Sequence, residues 1–261
     1  MAPPRIASLV PSLTELLVAL GLAPHLVART GFCVHPASVV AGITKVGGTK
    51  DVHLARLREL APTHVVVNVD ENRLDTVAAL REFVPHVIVT HPCAPLDNLA
   101  LYRQMVEVFG ELPGVAERAE ALAKDLQSAW AALTGQAWAA EPVLYLIWRQ
   151  PWMTVARDTY LSRMLAAVGW QTWPELDGGP TGAARYPVLQ GQEPGLQAVT
   201  RVLLSSEPYA FGPAHVAEAQ ALCPRARVHC VDGELLSWYG PRAAQGLRYL
   251  QRLRQSADAG A

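Results

Sequence analysis

The stretch "VAERAEALAKDLQSAWAALTGQ", residues 115–136, predicts one long helix near the middle of a chain of 261 residues. It is rich in alanine and nearly free of β-branched residues, and it is bounded by "LPG" before it and Gly135 near its end. The elements predicted on both sides of it are shorter. We therefore interpret this helix as a strut that joins two halves of the chain.

Both halves alternate short β-branched strands with helices. The first half contains the strands "RIASLV", "HLVART", "HVVVNV" and "HVIVT", and the second contains "PVLYLI", "RVLLSS" and "RVHCVD". Strands that alternate with helices favour a mainly parallel sheet covered on both faces. The sequence thus predicts an α/β fold of two Rossmann-like lobes, residues 1–112 and 139–261, joined by a rigid linking helix over residues 113–138.

Three local patterns refine this prediction. Ser12 and Glu15 have the spacing of a capping box at the start of "SLTELLVALG", and Gly21 marks the end of that helix. The glycine pair in "VGGTKD" predicts a turn where a ligand can approach the backbone closely. Residues 173–195 are rich in glycine and proline, which predicts an irregular loop.

The charge balance excludes two classes of partner. Basic residues number 22 and acidic residues 23, so the chain lacks the basic surface that nucleic acids or anionic membranes require. No apolar run approaches the roughly 18 residues of a membrane span. The opening "MAPPRIASLVPSLTELL" does not follow the pattern of a secretory leader. We expect a monomer that is cytoplasmic as the sequence is written, and periplasmic if a leader has been removed.

In the second half of the chain, large aromatic side chains follow each of the three predicted strands, "PVLYLI", "RVLLSS" and "RVHCVD". Such strand ends hold the ligands of open α/β sheets, and aromatic faces suit a large ligand with flat apolar surfaces and a polar rim. Packing between the lobes is the alternative explanation, and it stays open. The candidates at these strand ends are Trp148, Arg149, Trp152, Tyr209, Trp238 and Tyr239.

In the first half, thiols and imidazoles follow two strands. Cys33 and His35 come after "HLVART", and His91 and Cys93 come after "HVIVT". These donors match a Cys2His2 zinc site, although neither pair has the usual spacing. In a second interpretation His35 binds a metal carried by the ligand, and in a third all four residues simply line a cleft. With only four cysteines in the chain, we expect reduced thiols.

The common enzyme signatures are missing from the sequence. It contains no G-x-S-x-G elbow, no G-x-x-x-x-G-K-[ST] phosphate loop and no G-x-G-x-x-G after the first strand. Carboxylates at strand ends leave one alternative open, a cytosolic metal-dependent enzyme or accessory protein that uses them together with the cysteines and histidines. These carboxylates are Asp70, Glu71, Glu207, Asp232 and Glu234.

Several motifs resemble the helical-backbone (class III) periplasmic binding proteins, the family of the cobalamin binders and the helical backbone metal receptors. The similarity covers "RIASLVPSLTELLVALGL", then "VGGTKDVHLARLRELAPTHVVVN", and then the long helix. The strings "LIWRQPWM", "SSEPYAF" and "VDGELLSWYG" are similar to those of one subgroup of this family.

The resemblance implies a non-enzymatic substrate-binding protein with no cofactor of its own and a ligand cleft between its lobes. The implied ligand is cobalamin or another metal-chelated macrocycle, and the implied partner is an ABC permease. By position, Phe32 matches a ligand contact of the first lobe and Trp238 one of the second. Arg149 and Glu71 would then bind the polar rim of the ligand, with His35 close to it.

The chain departs from the family pattern in several respects. The tryptophan expected after the third strand is replaced near Asn68, and another near "GGT" is missing. Of the two glutamates that dock such proteins onto a permease, the first falls at Ala55 and is lost, and the second is at best Glu193. The resemblance therefore supports ligand binding more strongly than delivery to an importer.

Overall fold

In the computed structural model, which describes residues 2–259, the chain forms two compact α/β units. The first comprises the chain up to Pro92, Asn98–Lys124 and Tyr239–Pro241, and the second comprises the remainder. The predicted long helix is confirmed as Val115–Thr134, and the division between the units falls within it, after Lys124. The domain boundaries expected at residues 112 and 139 stay a prediction. No helix in the described range is long and apolar enough to cross a membrane.

The first unit is built on a five-stranded parallel sheet in the order β3-β2-β1-β4-β5. Its strands are β1 (Ile6–Ser8), β2 (Leu26–Arg29), β3 (Thr44–Lys45), β4 (His64–Asn68) and β5 (His86–Thr90). Its helices are α1 (Pro11–Ala19), α2 (Ala37–Val40), α3 (Leu54–Glu59), α4 (Leu74–Leu80), α5 (Asn98–Phe109) and the first part of α6 (Val115–Thr134). The mainly parallel sheet predicted from the sequence is confirmed.

The capping box predicted for α1 is wrong. The helix begins at Pro11, the N-cap is Val10, and no side chain caps the helix. The fixed φ of proline favours the first helical position, which places Ser12 inside the first turn rather than before it. The Thr14 hydroxyl lies 3.0 Å from the Val10 carbonyl oxygen instead. The helix ends as predicted, since Gly21 follows it with φ +83°.

The second unit contains a four-stranded parallel sheet in the order β11-β10-β6-β8 and a two-stranded antiparallel ribbon, β7-β9. Its strands are β6 (Glu141–Leu146), β7 (Trp152–Met153), β8 (Trp170–Thr172), β9 (Val188–Leu189), β10 (Arg201–Ser205) and β11 (Arg227–Val231). Its helices are the rest of α6, α7 (Tyr160–Ala166), α8 (Val216–Leu222), α9 (Gly233–Ser237) and α10 (Ala243–Ala259).

The strand β6 lies between two other strands of its sheet and is buried on both faces. Val143, Leu144, Tyr145 and Leu146 are all 1% exposed or less. A parallel sheet covered on both sides requires such a continuous apolar run. Leu144 and Leu146 join one core cluster of this unit, together with residues of β10 and α8.

The glycine- and proline-rich segment 173–195 is more ordered than the sequence predicts. It contains β9 and two short 3₁₀ helices, Ala183–Arg185 and Pro194–Ala198. Arg185, which is 1% exposed, donates a 2.7 Å hydrogen bond to the Gly179 carbonyl oxygen. Its own carbonyl oxygen accepts a 2.8 Å bond from the Ala156 backbone N–H. These contacts of one buried arginine organise the loop, and they cannot be deduced from composition.

A buried ionic cluster lies at the amino ends of β6, β8 and β10. The Glu141 carboxylate accepts hydrogen bonds from Arg201 (3.0 Å), from the Trp170 indole (2.8 Å) and from Arg254. Both arginines are 4% exposed. Arg201 also lies 2.7 Å from His229 Nε2. The Glu141 carboxylate is therefore shared by two buried guanidinium groups, with Asp258 lying 3.3 Å from Arg254 as a second carboxylate, and it links three strands to α10.

The pKa values of this cluster favour the folded chain at neutral pH. Burial alone would raise the pKa of Glu141, but the Trp170 bond and the Arg201 charge lower it by more, so it lies below its usual range. Burial, with the charge of Arg201, lowers the pKa of His229. Acidification therefore favours the unfolded chain through both groups, because both bind protons more readily when the chain unfolds.

We predict that Glu141→Gln lowers the free energy of unfolding at neutral pH by about 3 kcal/mol, because the buried Arg201 loses the Glu141 charge and Arg254 is left with the more exposed Asp258. The difference from wild type should narrow as the pH falls through the lowered pKa of Glu141, where the wild-type carboxylate is protonated too. Urea denaturation across this pH range measures it. Glu120→Gln is the control, since Glu120 pairs with Lys124 on the exposed face of α6 and its replacement should change little. A pH-independent difference would contradict the prediction.

Candidate functional site

The candidate site of the second unit is organised by the loop that follows β10. Because β10 lies between β6 and β11 in a parallel sheet, its carboxyl end adjoins theirs. Backbone hydrogen bonds join the loop to both neighbours, from Ser206 N to Val231 O (3.1 Å) and from Tyr209 N to Ile147 O (3.2 Å). The sequence strings that follow the three strands therefore meet, as the strand-end argument predicts.

On the β6 side, four aromatic rings form a contiguous cluster. The Trp148 and Tyr209 rings meet edge to face at 5.7 Å, and Tyr209 lies 4.6 Å from Phe211. Phe211 in turn stacks against Trp152 at 6.0 Å with 8° between the ring planes. Trp148 is 40% exposed, whereas Phe211 is 7% exposed. The cluster therefore presents Trp148 to solvent and supports it from beneath.

The segment "IWRQPWM" is a tight hairpin rather than a loop. Trp148 forms a β-bridge with Met153, and Trp152 pairs with Leu189 of β9. This pairing makes Trp152 half-buried and packs it against the core of the unit. Of the two tryptophans predicted at this strand end, Trp148 is the more available to a ligand.

Polar groups surround the exposed indole. Arg149 donates a 2.7 Å hydrogen bond to the Glu218 carboxylate, and the Tyr209 hydroxyl lies 3.3 Å from His215 Nε2. His215 Nδ1 accepts a 3.1 Å bond from the Gly212 backbone N–H, so in the neutral ring Nε2 carries the proton. The sequence does not single out His215 or Glu218, because neither follows a strand directly.

On the β11 side, the Glu207 carboxylate holds the residues after α9. Its Oε1 atom accepts hydrogen bonds from the Ser237 hydroxyl (2.6 Å) and from the Trp238 indole N–H (2.8 Å). Burial raises the pKa of Glu207, and the charges of Glu234 and Asp232 raise it further. Trp238 is 8% exposed, so its contact with a ligand stays a prediction, as does that of Tyr239, which is also 8% exposed.

Arg242 completes the surroundings of Trp238. Its guanidinium carbon lies 4.7 Å from the centre of the Trp238 ring, within the range of a cation–π contact. The same guanidinium donates a 2.6 Å hydrogen bond to Glu234. The predicted cleft carboxylates Glu207 and Glu234 thus have defined partners, and both position the segment around Trp238.

In the first unit, apolar side chains are exposed at the carboxyl end of the sheet. Phe32, after β2, is 63% exposed, and Leu74, at the start of α4 after β4, is 84% exposed. A Cβ atom added at Gly48 would lie 3.3 Å from the Phe32 ring, so glycine allows this ring to approach the "VGGTKD" turn closely. Leu74 was not predicted, although a leucine at a helix start between charged residues is a recognisable signal.

Polar side chains occupy the same edge next to these apolar residues. The Asn68 side chain accepts hydrogen bonds from the backbone N–H groups of Asp70 (2.8 Å) and Glu71 (3.3 Å). His91 Nε2 lies 3.5 Å from an Asp70 carboxylate oxygen. Asn68 replaces the tryptophan of the family pattern, and its buried amide fixes the turn after β4 instead of offering an aromatic face.

The cysteines and histidines of the first half have separate surroundings. Cys33 is fully buried, its sulfur lies 3.1 Å from the Thr30 hydroxyl, and burial raises the pKa of its thiol. Cys93 belongs with Arg185 to the second unit and accepts a 3.6 Å hydrogen bond from it. His35 is half-buried. Within residues 2–259, no three His, Cys, Asp or Glu side chains are grouped to hold a metal ion, and no disulfide joins the cysteines.

The fold is that of a substrate-binding protein. The sequence model of the periplasmic binding protein family matches residues 6–184, and the chain belongs to that family. Its members are extracytoplasmic binding proteins that serve ABC transporters, which confirms the resemblance inferred from the motifs. No curated protein matches the sequence at a significant level.

Three solved structures illustrate the likeness. The periplasmic vitamin B12 binding protein BtuF of Vibrio cholerae has a TM-score of 0.80 at 18% identity, with 98% of each chain covered. A periplasmic heme binding protein from Pseudomonas aeruginosa has a TM-score of 0.78 at 22% identity, covering 98% of this chain and 94% of that chain. The heme binding protein HutB of Vibrio cholerae has 0.76 at 22%, covering 97% and 99%. Because all three identities are below 25%, the likeness shows that the chain has the helical-backbone fold, and it shows only the fold.

The two positions that the resemblance aligns with docking glutamates are Ala55 and Glu193. Ala55 is exposed on α3 between His53 and Arg56. Glu193 turns inward and accepts a 2.6 Å hydrogen bond from the Gln190 backbone N–H. Burial raises the pKa of Glu193, but the backbone N–H groups of residues 190–193 lower it by more. Glu193 therefore stabilises its own loop.

We predict that Gly233→Ala disrupts the β11 side of the site. A Cβ atom there would lie 2.3 Å from the Ser205 hydroxyl and 2.9 Å from the Glu207 backbone nitrogen, so the loop must move. The free energy of unfolding should fall by about 2 kcal/mol. The control is Gly212→Ala, where the added atom has no neighbour within 4 Å and φ is −160°. Equal unfolding midpoints of the two variants in urea would show that the close approach is unimportant.

Proposed function

We propose that this substrate-binding protein binds a large, flat, metal-chelated macrocycle of the corrinoid or haem class. The observation that carries the proposal is the Trp148 indole, 40% exposed at the carboxyl end of β6 and backed by Tyr209. An exposed indole supported by other rings is a rigid apolar surface of the kind that stacks on a planar ligand. Trp152 and Phe211 restrict its movement through the same aromatic cluster.

The rim of this surface suits the polar periphery of such a ligand. Arg149 is 29% exposed and is held by Glu218, so its guanidinium is oriented before binding. A guanidinium binds carboxylate or amide oxygens at a planar edge through paired N–H donors. Tyr209 adds a hydroxyl beside it. Carboxylate-bearing porphyrins and amide-bearing corrins both fit this combination of a flat face and a polar border.

The first unit, taken by itself, also exposes apolar side chains suited to a ligand, Phe32 and Leu74, at the carboxyl edge of its sheet. Glu71 and His35 remain the predicted polar contacts from that unit. Support also comes from the structural relatives, whose described ligands are vitamin B12 and heme. Because these relatives include both ligand classes, a test of the function has to include both.

The alternative of a metal-dependent enzyme is less well supported. Its thiols and imidazoles are not grouped within the described residues, and the buried thiol of Cys33 has a raised pKa that disfavours the metal-binding thiolate. Three of its carboxylates, Asp70, Glu207 and Glu234, have defined contacts within the fold. We therefore propose a binding protein without a resident cofactor, acting outside the cytoplasm with an ABC permease.

The proposal predicts saturable quenching of tryptophan fluorescence by cyanocobalamin, aquocobalamin or haemin at micromolar or lower concentration. Trp148→Ala should weaken binding of that ligand about thirtyfold, as truncation of a central aromatic contact costs about 2 kcal/mol. The dissociation constant is measured by fluorescence and by the visible spectrum of the ligand, so that a lost fluorophore is not mistaken for lost binding.

The matched control is Trp138→Phe. Trp138 donates its indole N–H to the Leu133 carbonyl oxygen at the end of α6, and it precedes the amino end of β6, opposite to the carboxyl ends of the strands. This variant removes one tryptophan and should leave the affinity unchanged. Absence of binding to all three compounds would overturn the macrocycle proposal, and equal affinity of the Trp148 and Trp138 variants would overturn the assigned contact.

A further inference from the structure

We propose that Glu207 is a positioning residue that fixes the Trp238 indole for ligand binding. The inference rests on the proposed function, because it assigns a role within the same strand-end site. The strings at the carboxyl ends of β10 and β11, "SSEPYAF" and "VDGELLSWYG", meet in one hydrogen-bonded cluster. Their pairing suggests that Glu207 and Trp238 act together.

The bonds to Glu207 define the direction of the indole. The Trp238 indole N–H and the Ser237 hydroxyl both donate to the same carboxylate oxygen, at 2.8 Å and 2.6 Å. The Ser237 hydroxyl also lies 2.7 Å from the Gly233 carbonyl oxygen. Two neighbouring side chains are therefore directed to one acceptor, and the indole edge cannot rotate without losing a bond to it.

The backbone of Glu207 is held from the strand side. The Ser205 hydroxyl donates to the Glu207 carbonyl oxygen at 2.5 Å, and the Glu207 backbone N–H lies 3.3 Å from the same hydroxyl. The Gly233 backbone N–H donates to the Ser206 hydroxyl at 2.8 Å. The end of β10 and the start of α9 are thus joined by contacts that do not involve the Glu207 carboxylate.

Arg242 is a second contact that restricts the Trp238 ring, and it acts on the ring face. Its guanidinium lies over the indole at 4.7 Å and is itself held by Glu234. With one edge bound to Glu207 and one face covered by Arg242, the indole has a single arrangement. Because only 8% of Trp238 is exposed, a small rotation changes the part of the ring that a ligand meets.

The hydrogen bonds of Glu207 do not require a negative charge. Both donors use Oε1, so a proton on the other carboxyl oxygen leaves the accepting atom in place. Glutamine offers the same carbonyl oxygen with a similar shape, whereas leucine offers no acceptor. Glu207→Gln and Glu207→Leu therefore separate the accepting oxygen from the volume of the side chain.

The same unit contains a matched pair at the other end of its sheet. Glu141 accepts a 2.8 Å hydrogen bond from the Trp170 indole N–H, as Glu207 does from Trp238, but at the amino ends of the strands. Parallel α/β sheets bind ligands at their carboxyl ends. Glu141→Gln therefore perturbs a comparable carboxylate–indole bond without changing the ligand edge.

The experiment measures dissociation constants for cyanocobalamin and haemin with the wild type and the three variants, on samples shown to be folded by far-ultraviolet circular dichroism. The indole N–H resonance of Trp238, assigned from Trp238→Phe, is recorded by ¹⁵N NMR. We expect Glu207→Leu to shift this resonance and to weaken binding about tenfold or more. Glu207→Gln should retain a bonded indole resonance and near-wild-type affinity, and Glu141→Gln should lose stability but not affinity.

Two results would overturn the assignment. One is that Glu207→Leu moves the Trp238 resonance while the affinity stays unchanged, which would show that the bond is structural only. The other is that Glu207→Gln binds as weakly as Glu207→Leu, which would point to the charge instead of the accepting oxygen. If the wild type binds none of cyanocobalamin, aquocobalamin and haemin, the macrocycle proposal fails and this inference falls with it. Wild-type binding with unaffected Glu207 variants refutes the positioning role alone.

Discussion

The site of the second unit depends on the parallel pairing of β10 with both β6 and β11. Parallel strands end at the same edge, so three segments far apart in sequence emerge side by side. The loop after β10 uses this arrangement in two directions. Tyr209 contacts the β6 side through Trp148, and Glu207 contacts the β11 side through Trp238. If β10 did not lie between β6 and β11, a single loop could not contact both Trp148 and Trp238.

Buried charges at the two ends of this sheet have different consequences. At the amino ends, the negative charge of Glu141 lies against Arg201 and Arg254, which both donate hydrogen bonds to its carboxylate. This cluster therefore stabilises the unit as long as Glu141 is ionised. At the carboxyl ends, Glu207 has neutral donors, Ser237 and Trp238, and burial raises its pKa. Its bonds survive protonation. One carboxylate therefore serves stability, whereas the other is suited to orient a ring.

Much of the architecture follows from local patterns. The β-branched runs become strands, the alternation becomes parallel sheets, and the alanine-rich stretch becomes the longest helix of the described chain. The failures are also local. The capping box is absent because α1 begins at Pro11, with an N-cap two residues before the predicted Ser12, and segment 173–195 gains a strand because β9 pairs with β7. Pairing partners distant in sequence leave no periodic signal, and a buried arginine such as Arg185 looks like a surface residue.

The sequence by itself determined the family, the fold class and the edge at which aromatic residues collect, because these depend on hydrophobic periodicity and on residue types that follow strands. Only the tertiary structure decided which of those aromatics are available. Trp148 is left exposed, while Trp152 is drawn into a ribbon and Trp238 is held by Glu207. Exposure depends on neighbours brought together by strand order, and Leu74, exposed after β4, shows that composition alone does not reveal it.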